Sequence, residues 1–462
     1  MRSARLLSTF SFVFLSSSLW AGAADDPPRT IAALPPEAQA RILAALEGGA
    51  GSNQRRAHSQ DSPKVPRILR WPQLAALSSS NQFPYFFGAS VAISGSTIVV
   101  GAPNGGYAAV FVKPANGWQN MTEVATLNPS SEACDFGTSV AISGDTIVVG
   151  QPQDQFCNTS LGAAYVFVKP SGGWSGTLTQ TAVLTASDGI ELDALGSSIA
   201  IDGNAVVAGA PGTYAANYTG AAYVFVEPGN GWVNMTQTAK LTASDGMPGD
   251  VFGSAVSISG TTVVAGAPNA TIGSNKFQGA GYVFVEPSDG WTNMTQAAKL
   301  TAGDGEPSNG FGASAAVDGQ TAVVGAPNAT PGGSAYVFVQ PFSGWMNMTQ
   351  TAKLTATGGY SQDEMGRSVA VDGKRIVAGA PRYRSNYSQC HFCDEGAVYV
   401  FEKPTTGWVD VTQEAKLTGS DARNGSFLGT SVAVSGHLVG AGAMFNNNLQ
   451  RTKGGAYIFI GP

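Results

Sequence analysis

One segment of this 462-residue chain combines side chains that commonly anchor ligands. Within residues 382–395, four cationic or aromatic groups precede a Cys-His-Phe-Cys run: Arg382, Tyr383, Arg384 and Tyr387. Guanidinium and phenol groups on a stiffened loop bring large contact areas and directed hydrogen bonds to a binding surface. We therefore predict that these four residues bind a ligand or partner. A solvated insertion is the alternative interpretation.

Acidic residues that recur along the chain could supply the acid and base of a glycosidase. They are Asp188 and Asp193, Asp245 and Asp250, Asp304, Asp363 and Asp421. Their recurrence at one phase favours turn and loop caps instead, because aspartate readily accepts hydrogen bonds from nearby backbone N–H groups. The three histidines share no pattern, and neither a Gly-x-Ser-x-Gly motif nor a phosphate-binding loop occurs. We therefore expect a protein that is not an enzyme.

The four cysteines come as two close pairs, Cys134 with Cys157 and Cys390 with Cys393. Local disulfides of this kind suit a secreted protein, and a free or redox-active pair is the alternative. A lone Cys-x-x-Cys with one adjacent histidine supplies fewer than the four ligands that structural zinc requires. We expect two disulfides and neither a metal nor a cofactor.

The first 70 residues differ from the rest of the chain. A basic start, the apolar run 6–19 and Ala21-Gly22-Ala23 predict a signal peptide over 1–23, with an uncleaved anchor as the alternative. Residues 24–70 are interpreted as a flexible leader with a short helix from Pro35 to Leu46. No later apolar run is long enough to span a bilayer. The prediction is a secreted or cell-envelope protein without a membrane span.

Composition narrows the fold class. The chain has 59 glycines, 43% hydrophobic residues and only 12% charged residues, which excludes both disorder over most of its length and long charged helices. Its net charge of −6, without clusters of Lys or Arg, argues against nucleic-acid binding.

A repeated phrase organises residues 87–462. An apolar residue and a glycine open each of seven units: Phe87-Gly88, Phe136-Gly137, Leu195-Gly196, Phe252-Gly253, Phe311-Gly312, Met365-Gly366 and Leu428-Gly429. Fourteen positions after each opening residue stands another glycine, usually in Gly-Ala-Pro. An aromatic and β-branched run such as Tyr-Val-Phe-Val follows, then a Pro and Gly-Trp turn and a fourth segment. Four short strands per unit, repeated seven times, predict an all-β, seven-bladed β-propeller of four-stranded antiparallel blades.

The ends of the repeat predict how the ring closes. The seventh unit stops after its third strand, whereas Trp71 precedes the first unit and begins an apolar segment to Leu77. Because an open seam would expose edge strands, we predict that this N-terminal segment is the outer strand of blade seven. The propeller domain then covers 71–462.

These motifs resemble the FG-GAP repeat family, best known from the seven-bladed head of integrin α chains. The resemblance implies calcium-binding turns between the first two strands of a blade, but the turns here carry at most one carboxylate each, as in Asp318-Gly319-Gln320, and a calcium cage needs six to eight oxygens. The chain is therefore more similar to the calcium-free bacterial members. No Arg-Gly-Asp occurs.

Hairpin topology brings the loops that precede the opening pairs and the loops that follow Gly-Ala-Pro to one end, here called the long-loop face. Cys134 and Cys157 fall in two such loops of blade two, which favours a disulfide between them. We expect a monomeric, non-enzymatic binding or adhesion module that engages an extracellular protein or glycan through this face. The alternatives are a lectin with repeated sugar sites between blades, or a carbohydrate-active enzyme. Four of ten glycosylation sequons recur two residues after a tryptophan and are interpreted as structural: Asn120, Asn234, Asn293 and Asn347.

Overall fold

A computed structural model describes residues 71–81, 85–130, 135–152, 161–190, 192–212, 218–385, 394–421, 425–446 and 453–462. These residues form seven sheets, each with four antiparallel strands ordered from an inner strand to an outer one. Each inner strand contacts the inner strands of both neighbouring sheets, and the last contacts the first. The fold is the predicted all-β, seven-bladed propeller.

The first three strands of each blade are five to nine residues long and mostly buried. The inner strands are β2 (Ser90–Ser94), β7 (Ser139–Ser143), β12 (Ser198–Asp202), β17 (Ala255–Ser259), β22 (Ser314–Asp318), β27 (Ser368–Asp372) and β32 (Leu428–Ser435). The second strands are β3 (Thr97–Ala102), β8 (Thr146–Gln151), β13 (Ala205–Ala210), β18 (Thr262–Ala267), β23 (Thr321–Ala326), β28 (Arg375–Ala380) and β33 (Leu438–Asn446). The third strands are β4 (Tyr107–Val112), β9 (Ala163–Val168), β14 (Ala221–Val226), β19 (Ala280–Val285), β24 (Ser334–Val339), β29 (Ala397–Glu402) and β34 (Lys453–Ile460). One 3-10 turn, Pro103–Gly105, interrupts blade one.

The fourth strands are shorter and form the rim of the propeller. They are β6 (Ala125–Asn128), β11 (Ala182–Thr185), β16 (Ala239–Thr242), β21 (Ala298–Thr301), β26 (Ala352–Thr355), β31 (Ala415–Leu417) and, in blade seven, β1 (Gln73–Ser78). Strand β1 pairs antiparallel with β34, with Ala76 opposite Tyr457. The predicted closure by an N-terminal strand is therefore confirmed.

A short fifth strand joins six blades to the next one along the chain, a feature that the sequence analysis missed. These strands run parallel to the outer strand of the preceding blade: β5 (Met121–Thr122), β10 (Gly176–Thr179), β15 (Met235–Thr236), β20 (Met294–Thr295), β25 (Met348–Thr349) and β30 (Val411–Thr412). The tryptophan of each unit therefore precedes this bridging strand rather than the fourth strand. A two-residue strand has too few positions for an alternating pattern, which is why periodicity did not reveal it.

The sequon asparagines after tryptophan belong to the same bridge, which confirms their structural interpretation. The Oδ1 atom of Asn293 accepts a hydrogen bond of 2.7 Å from the backbone N–H of Lys240, in the preceding blade. Equivalent bonds are made by Asn120, Asn234, Asn347 and Asp410. Each side chain therefore fastens one blade to its neighbour.

The hydrophobic core is divided into seven clusters, each between two adjacent blades. Every cluster contains one opening apolar residue and one tryptophan; the cluster between blades three and four, for example, contains Phe252 and Trp291. Between blades six and seven the tryptophan is Trp71, from the N-terminal strand. The opening residue and the tryptophan recur because each interface between blades needs the same large side chains.

The spacing of fourteen residues also has a physical cause. In blade five, the N–H of Gly312 donates to the carbonyl of Gly325, closing the first hairpin. A Cβ atom on Gly325 would collide with the carbonyl oxygen of Gly366 in blade six. The Ser314 hydroxyl donates to that same oxygen at 2.8 Å. Both glycines of the phrase are therefore required where the backbones of neighbouring blades touch.

The serine contact runs nearly all the way round the ring. Ser431 of blade seven donates to the carbonyl of Gly88 in blade one, which carries the contact across the closure. Blade four is the exception, because Ala255 stands at the position of the serine.

Candidate functional site

The long-loop face has the predicted construction. The backbone N–H of the residue after Gly-Ala-Pro donates to the loop before the opening pair in four consecutive blades: Gly212 to Asp193, Asn269 to Asp250, Asn328 to Asn309 and Arg382 to Asp363. These bonds hold two loops of each blade together at the same end of the propeller.

An open cavity of about 760 Å³ lies on this face between blades five and six. Its lining is polar and combines both charge signs: Asn328, Ser361, Gln362, Glu364, Arg382, Arg384 and Asp394. We call this cavity the five–six cleft. Two of the four residues predicted to bind a ligand, Arg382 and Arg384, line it.

Arg384 forms a buried ion pair in the cleft. Its Nε donates to Oδ1 of Asp394 at 2.6 Å, and the two side chains are only 9% and 12% exposed. One residue further, the hydroxyl of Ser385 donates to a carboxylate oxygen of Glu395 at 2.8 Å. These two contacts connect the segments on either side of residues 386–393. Arg384 therefore holds Asp394, another lining residue, in its place in the cleft.

Arg382 is the accessible cation of the cleft. Its Nε lies 3.2 Å from Oε1 of Glu364, and the side chains of Arg382 and Glu364 are 49% and 22% exposed. Glu364 has a left-handed backbone, with φ of 58°. The same conformation precedes the opening residue at Ala194 and Val251, so the scaffold itself sets the position of Glu364.

Tyr383 packs beneath the face instead of pointing into the cleft. Its ring meets that of Tyr399 edge to face, with centroids 6.5 Å apart. Lys416 lies over the Tyr383 ring at 4.3 Å and donates to its hydroxyl at 2.6 Å. Tyr383 is not among the residues that line the cleft.

Three other blades show what Tyr383 replaces. In blade four, Lys299 lies over Tyr282 and donates to Asp245, which also accepts a bond from the Tyr282 hydroxyl. Blades three and five repeat this triad with Lys240, Tyr223 and Asp188, and with Lys353, Tyr336 and Asp304. At the equivalent position before blade six the sequence has Gly358. Tyr383 supplies the oxygen that the missing aspartate would have given to the lysine.

The triad aspartates are ionised groups held by their partners. Burial alone would raise the pKa of Asp245, but hydrogen bonds from Lys299 and Tyr282 and the lysine charge outweigh burial and keep the pKa below its ordinary value. The same causes lower the pKa of Asp188 and of Asp304. The Tyr282 hydroxyl has a raised pKa because it is buried and faces this carboxylate.

The second set of acids caps turns. Asp193, Asp250 and Asp363 each accept a hydrogen bond from the backbone N–H three residues earlier, as does Asn309. Burial raises the pKa of Asp193 and of Asp250, although the bond from the backbone opposes the shift. These contacts confirm the interpretation as turn and loop caps, with the bond running to a preceding residue. Asp421 accepts a bond from the Tyr457 hydroxyl.

The repeated aromatic residues are enclosed between blades. Tyr223, Tyr282, Tyr336 and Tyr399 are at most 1% exposed, and the tryptophans from Trp118 to Trp408 at most 8%. A lectin with repeated sugar sites needs exposed rings at these positions, and the rings are instead part of the core.

Other predicted residues cannot be placed. Tyr387 and all four cysteines, Cys134, Cys157, Cys390 and Cys393, lie outside the described residues, as do the predicted signal peptide and leader.

The turn acid Asp318 accepts a bond from the backbone N–H of Gly373 in the next blade. In the described parts of the chain, no three His, Cys, Asp or Glu side chains come together as metal ligands. No helix among them is both long and apolar enough to cross a membrane.

The sequence analysis did not assign the other lining residues of the cleft to a site. Asn328, Ser361, Gln362 and Glu364 belong to other loops, and the one motif among them is the glycosylation sequon Asn328-Ala329-Thr330, which does not indicate a ligand site. A signal existed in the comparison of units, because Thr357-Gly358-Gly359 replaces the Ser-Asp-Gly or Gly-Asp-Gly of the three preceding repeats just before Ser361, Gln362 and Glu364.

Comparison with known proteins identifies the repeat. The FG-GAP repeat matches residues 122–167, 178–225, 235–284, 294–338, 348–401 and 411–459. No curated protein matches the chain. Since the six matches together cover more than half of the sequence and the described residues form the expected blades, the chain belongs to the FG-GAP repeat family.

Proposed function

We propose that this chain is an extracellular binding module, not an enzyme, that holds a partner through the five–six cleft. The observation that carries the proposal is the composition of the cleft: four charged side chains, two of each sign, line one open cavity of about 760 Å³. Ligand sites commonly occupy clefts of roughly 300–1,000 Å³ in which a few convergent polar groups fix the ligand's orientation. This cleft has that size, and its lining is more polar than is usual.

The carboxylates of the cleft are held in ion pairs, which favours a binding function over catalysis. A general acid or base must exchange a proton with the substrate. In the cleft, however, Asp394 and Glu364 are each held by a guanidinium. The triad aspartates are similarly held by lysines. Fixed charges of this kind suit recognition, in which geometry has to be kept.

Export is part of the proposal and rests on the N-terminal sequence. If residues 1–23 are a signal peptide, the mature chain recovered outside the cell begins near Ala24. Sequencing the N-terminus of the native protein from medium and envelope fractions tests this. Recovery from the cytosol with Met1 retained would contradict it.

Affinity capture from the native envelope or medium tests the binding function. The variant is Arg382→Ala, because Arg382 is half exposed and is not a core residue. The control is Asn269→Ala, at the equivalent position of blade four. We expect the wild type and the control to retain the same partner and R382A to lose most of it. Identical capture by all three proteins would contradict a role for the cleft.

A further inference from the structure

The five–six cleft has a balanced charge, which restricts what it can bind. Arg382 faces Glu364 and Arg384 faces Asp394, so the lining carries two positive and two negative groups. An anion entering the cleft meets both carboxylates, and a cation meets both guanidinium groups. Neither finds a net opposite charge in the lining.

The ion pairs also resist rearrangement. Arg384 and Asp394 are only 9% and 12% exposed, and separating a buried pair leaves an uncompensated charge out of water. A ligand with its own charges would have to compete with these internal partners. A neutral ligand can use the outer donors and acceptors of the cleft without breaking either pair.

The remaining lining offers mixed hydrogen bonding. The amides of Asn328 and Gln362 each present donors and an acceptor, and the Ser361 hydroxyl can do both. Arg382 carries five N–H donors, of which Nε faces Glu364. Adjacent sugar hydroxyls also donate and accept, so a polyhydroxylated ligand matches this alternation of groups better than a ligand with one kind of polar atom.

An exposed aromatic residue is the chain neighbour of one lining residue. Tyr360 directly precedes Ser361, and it is 53% exposed. An amphipathic ring provides an apolar surface beside a polar tip, which suits the apolar face of a sugar ring. Resting on the proposed function, we propose that the five–six cleft binds a neutral oligosaccharide.

The test is binding to an array that contains neutral, sulfated and sialylated oligosaccharides together with zwitterionic peptides. The proteins are wild type, Asn328→Ala and Gln362→Ala. Asn269→Ala is the matched control, because Asn269 and Asn328 stand in the same Gly-Ala-Pro-Asn-Ala-Thr sequence of blades four and five. Thermal melting of each protein checks that the fold is unchanged.

We expect neutral oligosaccharides to bind the wild type and N269A equally. N328A and Q362A should bind them roughly tenfold more weakly, the change expected for one or two lost neutral hydrogen bonds. Binding of charged probes alone, no binding of any oligosaccharide, or equal binding by all four proteins would overturn the inference. If affinity capture still returns a protein lost in R382A, the proposed binding function stands and only the ligand class is wrong.

Discussion

Blades four and six share one scaffold and differ where they meet solvent on the long-loop face. In both, a lysine on the outer strand lies opposite a tyrosine of the third strand, Lys299 with Tyr282 and Lys416 with Tyr399. In blade four the lysine binds Asp245, whereas in blade six it binds Tyr383. In both blades the lysine donates to a side-chain oxygen, but that oxygen belongs to a carboxylate in blade four and to a phenol in blade six.

This difference shows how a repeat becomes a site. Gly358 stands at the position of the aspartate in the three triads. The hydroxyl of Tyr383, from the opposite loop, instead accepts the hydrogen bond from Lys416. The residues on either side of Tyr383, Arg382 and Arg384, then line the cleft with Glu364 and Asp394. Blade six therefore has Gly358 in place of the aspartate, and it has charged side chains at Glu364, Arg382 and Arg384. Blade four has uncharged residues at those three positions.

The largest expected effect comes from the scaffold that both blades share. Gly266→Ala and Gly379→Ala each place a Cβ against the carbonyl oxygen of the next blade, Gly312 or Gly429. Backbone cannot move aside as a flexible side chain can, so we expect each change to lower the free energy of unfolding by about 3 kcal/mol or more. Denaturant unfolding measures it.

Gly229→Ala is the control for these two variants. Gly229 has open space around its Cβ position and no positive φ, so its stability should be within about 0.5 kcal/mol of wild type. If G266A and G379A were as stable as G229A, the close approach of the blades would be wrong.

The repeat made most of the fold predictable. Each interface between blades packs an opening residue against a tryptophan and brings two backbones into contact at glycines. The sequence therefore predicted the opening pairs, the glycines fourteen residues later and the outer strand that begins after Trp71. The five–six cleft was predictable only in part. Arg382 and Arg384 were found by residue type, whereas Asn328, Ser361 and Gln362 come from separate loops whose approach depends on tertiary packing. Tyr383 was assigned to binding by type, yet its neighbours use it to hold Lys416.

The next effect separates two arginines of the same cleft. Arg384→Ala leaves the buried carboxylate of Asp394 without its guanidinium, so we expect a loss of about 3–5 kcal/mol of unfolding free energy. Arg382→Ala removes a half-exposed pair and should cost less than about 1 kcal/mol. Thermal and denaturant unfolding of both variants measure the difference. Equal losses would show that the two arginines do not have separate structural and binding roles.

A smaller effect distinguishes the triads by pH. The pKa of Asp245 is lowered in the folded protein from an ordinary value of 3.8, so the stability that its charge contributes is full above that value and is lost as the pH falls through the folded pKa. Asp245→Asn should therefore be about 0.5–1 kcal/mol less stable than wild type near neutral pH, with the difference disappearing in acid.

Tyr383→Phe provides the comparison for blade six. It removes the hydroxyl that accepts from Lys416 but no carboxylate, so its loss of about 1 kcal/mol should not change between neutral and acidic pH. Unfolding curves at several pH values measure both variants. A pH-independent D245N difference would contradict the ionised triad.

The smallest expected effect is a gain in blade four. Ala255 occupies the position from which serines of other blades donate to the next blade, as Ser314 does to Gly366. Ala255→Ser should add the corresponding bond to Gly312 and raise the free energy of unfolding by about 0.5–1 kcal/mol. Ser314→Ala should lose a similar amount. Destabilisation by A255S would mean that the interface between blades four and five has no room for the hydroxyl.

Backbone hydrogen exchange with and without the captured partner tests most directly whether blade six carries the binding function. With the protein or oligosaccharide that the wild type retains, we expect protection to concentrate at residues 359–364 and 382–385, the loops of the five–six cleft. The equivalent loop at 303–310, between blades four and five, should exchange as in the free protein. Equal protection of these loops, or protection confined to the opposite face, would contradict a single binding site in the cleft.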